Sequence, residues 1–418
     1  MFEITAIAIA ILAFALVSNR LRDSILTAPI VMMLAGLAIA WLAGANTLMK
    51  IDHSAIHLLA EITLVLILFS DAARIDIRTL WRDHNLPVRL LIAGMPLTIA
   101  FGALAAMLMP FGMSWAEAAL LACILAPTDA ALGQSVLSNP RVPVRIRQAL
   151  NVESGLNDGI AVPLVILFAA IAGITHATNG VGDHLVFTLK QIVIGPLAGL
   201  IVGALAARLL DKAATHEWIS EAFEGPAVLS TAALAYLLAT IAGGNGFISA
   251  FVAGLTFGAM VGTRCKFILE FAESEGQTLA MLSFVIFGAL MLPHALAQMN
   301  WMILLYALLS LTLIRMLPVA VALSGANLQP VTIVFLGWFG PRGLASILFS
   351  LLILEKMHTP ATSAIMTIVV ATVALSVILH GLTAAPLARR YAAMAEAKGE
   401  CPENMPVPEV PSRTGMVQ

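Results

Sequence analysis

The chain has 418 residues, of which 60% are apolar and 11% are charged, and its mean hydropathy is +0.96. A soluble domain carries about 25% charged residues, so this composition excludes a water-soluble fold and indicates an integral membrane protein. The formal net charge of -2 gives no electrostatic reason to expect nucleic acid or an anionic membrane surface as a partner. Cys123, Cys265 and Cys401 are odd in number and lack metal-ligand spacing, which predicts neither a disulfide framework nor a zinc site.

Apolar stretches follow one another along nearly the whole chain, and they are long enough to cross about 30 Å of hydrocarbon. The first follows Glu3 without a basic leading region, which favours a retained span over a cleaved signal. The predicted spans are residues 3–19, 25–44, 56–72, 86–109, 115–137, 144–173, 183–210, 224–243, 245–261, 275–293, 299–323, 330–354 and 359–388. This pattern predicts an all-α polytopic membrane protein with about thirteen transmembrane helices. The Pro-rich, polar segment 389–418 is predicted to be a short, disordered cytoplasmic tail.

The distribution of basic residues predicts the orientation of these spans. If the N-terminus is outside, the external loops hold only Lys50 and Lys356, and every other Lys or Arg between spans is cytoplasmic. A missed or extra span would destroy this asymmetry. We therefore predict a multi-pass protein of the cell membrane with its N-terminus outside and its C-terminus in the cytoplasm.

Few charged residues fall inside the predicted spans, where a charge is costly and normally marks a pathway or a buried pair. The basic ones are Lys190, Arg315 and Arg342, and the acidic ones are Glu61, Asp129, Glu153 and Asp158. Lys190 lies about two turns from a span end and is predicted to snorkel to the interface. Glu61 and Asp71 are predicted to be interfacial. His380 is predicted to have a packing role, with proton sensing as the alternative.

Two predicted spans are interrupted. In the fifth, Pro127 is followed by Thr128 and Asp129, and a helix broken there would expose carbonyl groups and a helix end to an ion. In the twelfth, Arg342 stands within the sequence Gly-Pro-Arg-Gly as a charge at the helix break. The fifth and twelfth spans are seven apart and therefore cross the membrane in opposite senses. This arrangement predicts two six-span inverted repeats. The alternative is a pair of ordinary proline kinks, since other spans also contain proline.

The sixth span carries the sequence NVESGLNDG, which places four polar side chains within two helical turns. Ser154 and Asp158 share one helix face, and Glu153 and Asn157 share the adjoining one. Counted from the inner ends of their spans, Glu153 and Arg315 lie at matching depths of roughly 13 and 12 Å. Because either charge alone would be costly there, we predict that these two residues form a buried structural ion pair.

Asp158 lies deeper, at roughly 21 Å by the same count. It is close to Ser154 and to the interrupted span that bears Thr128 and Asp129. Such oxygen ligands suit a small hard cation such as sodium. Burial disfavours a charged carboxylate, so Asp158 is also a proton site, and a group that holds either species can exchange them. The alternative is that an arginine such as Arg342 neutralises Asp158 permanently.

The ordered set of these motifs resembles a known family. It comprises PTD in one interrupted span, ESGLNDG in the next, an arginine in the eleventh, GPRG in the twelfth and HGLTAAPL in the last. The chain is similar to the NhaP-type sodium/proton antiporters, the branch that includes the animal Na+/H+ exchangers. The resemblance covers nearly all of the predicted spans. It implies the NhaA-like fold, with two inverted repeats and crossing broken helices.

The resemblance also implies roles for the ion site. Asp158 would be the carboxylate that carries the transported ion, and Thr128 and Ser154 would supply ligands or ordered water for Na+. Asn157 would shape the site. The Asn157–Asp158 pair resembles the electroneutral branch, because electrogenic relatives have two adjacent aspartates.

Further residues would support this site. By resemblance, Glu153 and Arg315 would form the stabilising pair, and Asp129 would support the crossing of the broken helices. Ala130 departs from the commoner PTDP pattern, which puts the backbone of the fifth span in doubt but not the chemistry.

The resemblance implies a homodimer that works by alternating access. Dimerisation would involve residues 3–72 and 224–293, with 183–210 as a linking span. The ion-transporting core would comprise residues 86–173 and 299–388 and would move as an elevator.

The expected activity is exchange of Na+ or Li+ for H+ with one-to-one stoichiometry, without a cofactor. K+/H+ exchange is the alternative, because oxygen ligands alone do not fix the ion. A cation channel is remote, since no repeated filter segment is present in the sequence. No motif of an intramembrane enzyme is visible either.

Overall fold

The computed structural model describes residues 2–21, 24–43, 53–75, 85–175, 181–261, 266–354, 361–397 and Glu403. Within these ranges the regular secondary structure is helical, without a strand. The predicted all-α fold class is therefore confirmed. Residues outside the described ranges include Lys50, Lys356, Cys265 and Cys401, so the statements made about them stay predictions.

The helices coincide in order with the predicted apolar stretches. Their bounds are α1 Phe2–Leu21, α2 Ala28–Ala43, α3 His53–Ala73, α4 Asn85–Leu108, α5 Trp115–Leu125 with Ala130–Leu137, α6 Val144–Thr175, α7 Val181–Thr215, α8 Glu221–Ile241, α9 Gly246–Val261, α10 Lys266–Ile286 continuing into Leu292–Ala297, α11 Trp301–Ala322, α12 Pro330–Trp338 with Leu344–Phe349, and α13 Thr362–Ala397. A π-helical turn lies within α4, within α10 and after α12. Breaks in α5 and α12 fall at the two interruptions predicted from the sequence.

Not all of these helices are long enough to cross a bilayer by themselves. Within the described residues, eight helices pass a test of length and hydropathy, or nine if the two bent halves of α5 are one span. The segments Thr5–Leu21, Ala28–Leu42 and Gly246–Val261 are apolar but shorter. The number of thirteen crossings therefore stays a prediction.

The helices pack through buried apolar side chains. One cluster joins α3, α7, α8 and α9 and includes Phe69, Ala207 and Ala232. Within it, Gly254 of α9 lies so close to α3 that a Cβ atom there would overlap the carbonyl oxygen of Phe69. Small residues allow this close approach, which helices in a membrane use instead of a hydrophobic driving force.

The prediction of a disordered tail from residue 389 is wrong for its first part. Helix α13 continues to Ala397, because Tyr391, Ala392 and Ala395 are buried at helical spacing. The Tyr391 ring stacks on Phe335 of α12 with centroids 4.0 Å apart. Glu403 is also buried, and its Oε1 accepts hydrogen bonds from the Gln329 amide at 2.8 Å and the Thr332 hydroxyl at 3.0 Å.

Candidate functional site

Helix α5 is interrupted by its own sequence. It begins with a capping box, in which Ser114 Oγ accepts from the Glu117 amide and Glu117 accepts from the Ser114 amide. Its first half ends at Leu125, just before Pro127, which has no amide hydrogen to donate. The second half begins at Ala130, and the two halves are bent by 46°. The intervening segment is buried and not helical at Thr128 and Asp129, and Asp129 is extended.

Asp129 connects the two broken helices. Its amide donates to the carbonyl oxygen of Pro341 at 2.8 Å. Its Oδ1 accepts from the Ala131 amide in α5, and its Oδ2 accepts from the Leu344 amide in α12, both at 2.9 Å. The carboxylate therefore bonds an amide in the first turn of each second half, where the partial charge of a helix end is positive.

Arg342 has the opposite role at the same crossing. Its side chain is fully buried, and its Nη1 donates to the carbonyl oxygens of Ala126 at 2.6 Å and Pro127 at 3.2 Å. These carbonyls end the first half of α5, where the helix dipole is negative. The guanidinium thus compensates the negative end of the first half of α5, whereas Asp129 compensates the positive beginnings of the second halves.

The glycines on either side of Pro341 and Arg342 make room for charged groups. A Cβ atom at Gly340 would overlap the guanidinium of Arg315, and one at Gly343 would overlap the carboxylate of Asp129. Gly340, Arg342 and Gly343 are therefore each explained by a contact with another helix. This segment is shaped around its neighbours on α5 and α11.

The predicted contact between Glu153 and Arg315 is present. Arg315 Nη2 lies 2.6 Å from Glu153 Oε1, and both side chains are 2% exposed. Helix α11 is irregular one turn earlier, at Thr312, whose carbonyl oxygen accepts from the Arg315 amide at 3.1 Å. The pair joins α6 to α11 inside the protein.

The structure brings the predicted ion-site residues of α6 against the break in α5. Ser154 Oγ donates to the Thr128 carbonyl oxygen at 2.7 Å and accepts from the Ala130 amide at 2.9 Å. Asn157 Nδ2 donates to Thr128 Oγ1 at 2.7 Å, while Asn157 Oδ1 is buried without a hydrogen-bond partner among the described residues. Asp158, one turn beyond Ser154, is 6% exposed. The result is a buried group of polar side chains on α6, of which Ser154 and Asn157 are hydrogen bonded to Thr128.

Cavities lie on α6 to either side of Asp158. One of about 20 Å³ is lined by Ser154 together with Asp71 of α3 and Arg74, which directly follows α3. Another, of about 280 Å³, is lined by Val162 of α6 and residues of several other helices. Asp158 therefore lies one helical turn from each cavity. Among the described residues, no group of three His, Cys, Asp or Glu side chains is arranged to hold a resident metal.

Two charged residues, Asp71 and Lys190, were not assigned to the ion site from the sequence. The interfacial depth predicted for Asp71 stays a prediction, and the structure shows in addition that Asp71 is buried and lines the smaller cavity, because α6 covers that end of α3. Lys190 is exposed, as expected for a snorkelling side chain, and it lines neither cavity.

His380 and Ser376 fix the break in α12 from α13. Ser376 Oγ accepts from the Arg342 amide at 2.7 Å. His380 Nε2 lies 2.9 Å from the Trp338 carbonyl oxygen, and Nδ1 lies 3.0 Å from the Ser376 carbonyl oxygen and 3.2 Å from Ser376 Oγ. A carbonyl only accepts, so a neutral imidazole, which has one N–H, can bond either the end of the first half of α12 or its own helix. In the sequence, only the HGL motif of α13 indicated that His380 has a structural role.

Two interrupted helices that cross beside a buried carboxylate define the class of secondary transporters. Residues 6–390 match the transmembrane sodium/hydrogen exchanger family, and the chain belongs to this family. The resemblance to NhaP-type antiporters is thereby confirmed.

Similar proteins are found among both sequences and structures. The chain is 27% identical over 355 residues to the K(+)/H(+) antiporter NhaP of Alkalimonas amylolytica, covering 84% of this chain and 60% of that protein. It is also 27% identical over 307 residues to the K(+)/H(+) antiporter NhaP2 of Shewanella sp. strain MR-4, covering 72% of this chain and 51% of that one. The chain thus spans between half and two thirds of these relatives.

A solved structure gives the same fold. The sodium proton antiporter MjNhaP1 from Methanocaldococcus jannaschii at pH 8 superposes with a TM-score of 0.73 at 23% identity, covering 94% of this chain and 99% of that chain. The antiporter fold predicted from the sequence is therefore confirmed.

Proposed function

We propose that this protein is a secondary antiporter that exchanges a monovalent cation for a proton at Asp158. The observation that carries the proposal is the buried carboxylate of Asp158. It lies one helical turn from Ser154, and Ser154 is hydrogen bonded to the break in α5. A buried carboxylate binds either a proton or a cation, because each removes the cost of an uncompensated charge. Competition between the two then couples their opposite movements.

The neighbouring residues have distinct roles in this proposal. Thr128 and Ser154 direct oxygen atoms to the cation, and Asn157 holds the Thr128 hydroxyl in place. Glu153 and Arg315 keep α6 and α11 together during transport.

The choice of cation is the finer part of the proposal. We favour Na+, with Li+ as a related substrate, because hard oxygen ligands suit small cations. K+ is the second candidate, since the two relatives above are named K(+)/H(+) antiporters.

Proton flux in proteoliposomes tests both levels of the proposal. Purified protein is challenged in turn with Na+, Li+ and K+ gradients, and internal pH is followed with a fluorescent dye. We expect Na+ and Li+ to drive proton movement. Proton movement with K+ alone would mean that the transported cation is K+ and not Na+. No proton movement with any of the three cations would contradict antiport.

We further propose that exchange is electroneutral. Asp158 is neutral with either a bound monovalent cation or a bound proton, and Asn157 does not titrate. With potential clamped by potassium and valinomycin, about 100 mV would shift an electrogenic cycle by about 2.3 kcal/mol per charge. We expect the Na+/H+ equilibrium to stay unchanged, and a shift with potential would contradict one-to-one exchange.

The assembly and orientation complete the proposal. We propose a homodimer through residues 3–72 and 224–293, with residues 86–173 and 299–388 as the moving core. Leu16 and Ile241, in the dimerising parts, are exposed apolar side chains that a partner or lipid can cover. The N-terminus would lie outside and the C-terminus in the cytoplasm. Light scattering in detergent tests the dimer, and a single-chain mass would contradict it.

A further inference from the structure

The larger cavity follows the face of α6 that bears Asp158. It is lined by Val162, Ile166 and Ala169. These residues follow Asp158 at intervals of four, four and three, so all four lie on one helix face. At a rise of about 1.5 Å per residue, the cavity runs from about 6 to about 17 Å beyond Asp158.

An aromatic ring of α9 packs against α6 near the end of the cavity that is closer to Asp158. Phe247 of α9 lines the cavity. Phe251, one turn further along α9, packs against Gly159 of α6, where a Cβ atom would overlap the ring. Because Gly159 lies between Asp158 and Val162 along α6, the Phe251 ring packs at a level between the carboxylate and the cavity.

The polar groups of the cavity come mainly from α3. Glu61 and His57 are four residues apart, so they lie on one face of the helix, and both line the cavity. His57 Nε2 is buried and has no hydrogen-bond partner among the described residues. A buried polar atom of this kind calls for a polar occupant of the cavity.

The charge and size of the cavity specify that occupant. Glu61 is the one acidic side chain among its described lining residues, and none of them is Lys or Arg. A volume of about 280 Å³ accommodates several water molecules. A cleft lined by one sign of charge in apolar surroundings concentrates ions of opposite charge. A hydrated monovalent cation fits these properties better than an anion or an apolar ligand.

We propose that this cavity is a vestibule site for a hydrated monovalent cation, bound by Glu61 beside His57 and released to Asp158 when Phe251 and Gly159 separate. The site rests on the antiport proposed above, but it is distinct from the carboxylate that exchanges the ions. It gives the cation a binding step on only one face of the membrane, the face predicted to be outside.

The test compares the two faces of the membrane in Glu61→Gln protein. Na+-dependent proton flux is measured in right-side-out and everted vesicles, and the half-saturating Na+ concentration is determined for each. At the Glu61 face we expect a rise of about three- to tenfold, because the cation is no longer concentrated there. At the opposite face the rise should be smaller than threefold. Glu61→Asp, which retains the charge, should recover most of the difference.

Two controls make the comparison interpretable. Glu396→Gln changes an exposed carboxylate of α13 that lies outside the cavity, and it should shift neither face. The face on which Glu61 lies is identified with Ala242→Cys, in the exposed turn before the cavity residue Asn245, labelled by an impermeant maleimide in a background without the native cysteines.

The outcomes separate this inference from the antiport on which it rests. An active wild type with a larger shift at the labelled face for Glu61→Gln supports the vestibule. Equal shifts at both faces, no shift, or the same shift for Glu396→Gln would overturn it and leave antiport standing. A wild type without cation-dependent proton flux would overturn the antiport proposal itself.

Discussion

The crossing of α5 and α12 and the carboxylate of α6 are both buried and charged, yet they are built differently. At the crossing, Asp129 bonds amides of two helix beginnings and Arg342 bonds carbonyls of a helix end. These charges are fixed by backbone groups that cannot leave. Asp158 lies on a continuous helix between two cavities, and in our proposal it alternates between a proton and a cation.

This difference suggests how the protein separates stability from transport. Charges that compensate helix ends, or that compensate each other as Glu153 and Arg315 do, hold the core together, and removing one should destabilise the fold. A charge whose partner is exchanged should contribute to function with little effect on folding. The following substitutions test this division, beginning with the largest expected change in stability.

Removing either member of the Glu153–Arg315 pair should have the largest effect. Glu153→Gln or Arg315→Gln leaves an uncompensated buried charge and should lower the free energy of unfolding by about 3–5 kcal/mol. Thermal unfolding in detergent measures this loss. The double variant should lose less than the sum of the two. Additive losses would mean that the contact contributes nothing to stability.

Filling the space at Gly343 should have an intermediate effect. Gly343→Ala places a Cβ atom against the Asp129 carboxylate, and overpacking of this kind costs about 1–3 kcal/mol. Gly133→Ala is the matched control, because a Cβ atom there meets no atom within 4 Å. Similar melting temperatures for the two variants would show that the crossing tolerates displacement of Asp129.

Removing the support from α13 should have an effect in the same range as Gly343→Ala, below that of the ion pair. Ser376→Ala leaves the buried Arg342 amide without its acceptor, which should cost about 1–3 kcal/mol. His380→Gln keeps a side chain that can donate to the Trp338 carbonyl and should cost less than His380→Ala. Equal losses for the two His380 variants would argue against a role for this hydrogen bond.

Local features of the site could be predicted from the sequence, whereas long-range contacts could not. Pro127 and the Gly-Pro-Arg-Gly sequence identified both helix breaks, because proline and glycine act on the backbone locally. The depths of Glu153 and Arg315 were enough to predict their contact. Which carbonyls Arg342 would reach depends on how α5 and α12 cross, and no local pattern encodes that geometry.

The end of α13 illustrates the same limit. Arg389 and Arg390 end the apolar run, so hydropathy predicted a tail from that point. The helix continues because Tyr391 and Ala392 are buried against other elements, among them Phe335. A helix supported by tertiary packing need not be apolar throughout.

The most direct test of the account is Asp158→Asn, measured for exchange and for stability in one preparation. The amide keeps the shape of the side chain but cannot alternate between a proton and a cation. We predict that Na+-driven proton flux in proteoliposomes is lost, while the unfolding free energy falls by much less than the about 3–5 kcal/mol expected for Glu153→Gln. A variant that still moves protons against a sodium gradient would show that Asp158 is not the carrier, and a loss of stability as large as that of Glu153→Gln would contradict the division between fixed and exchanging charges.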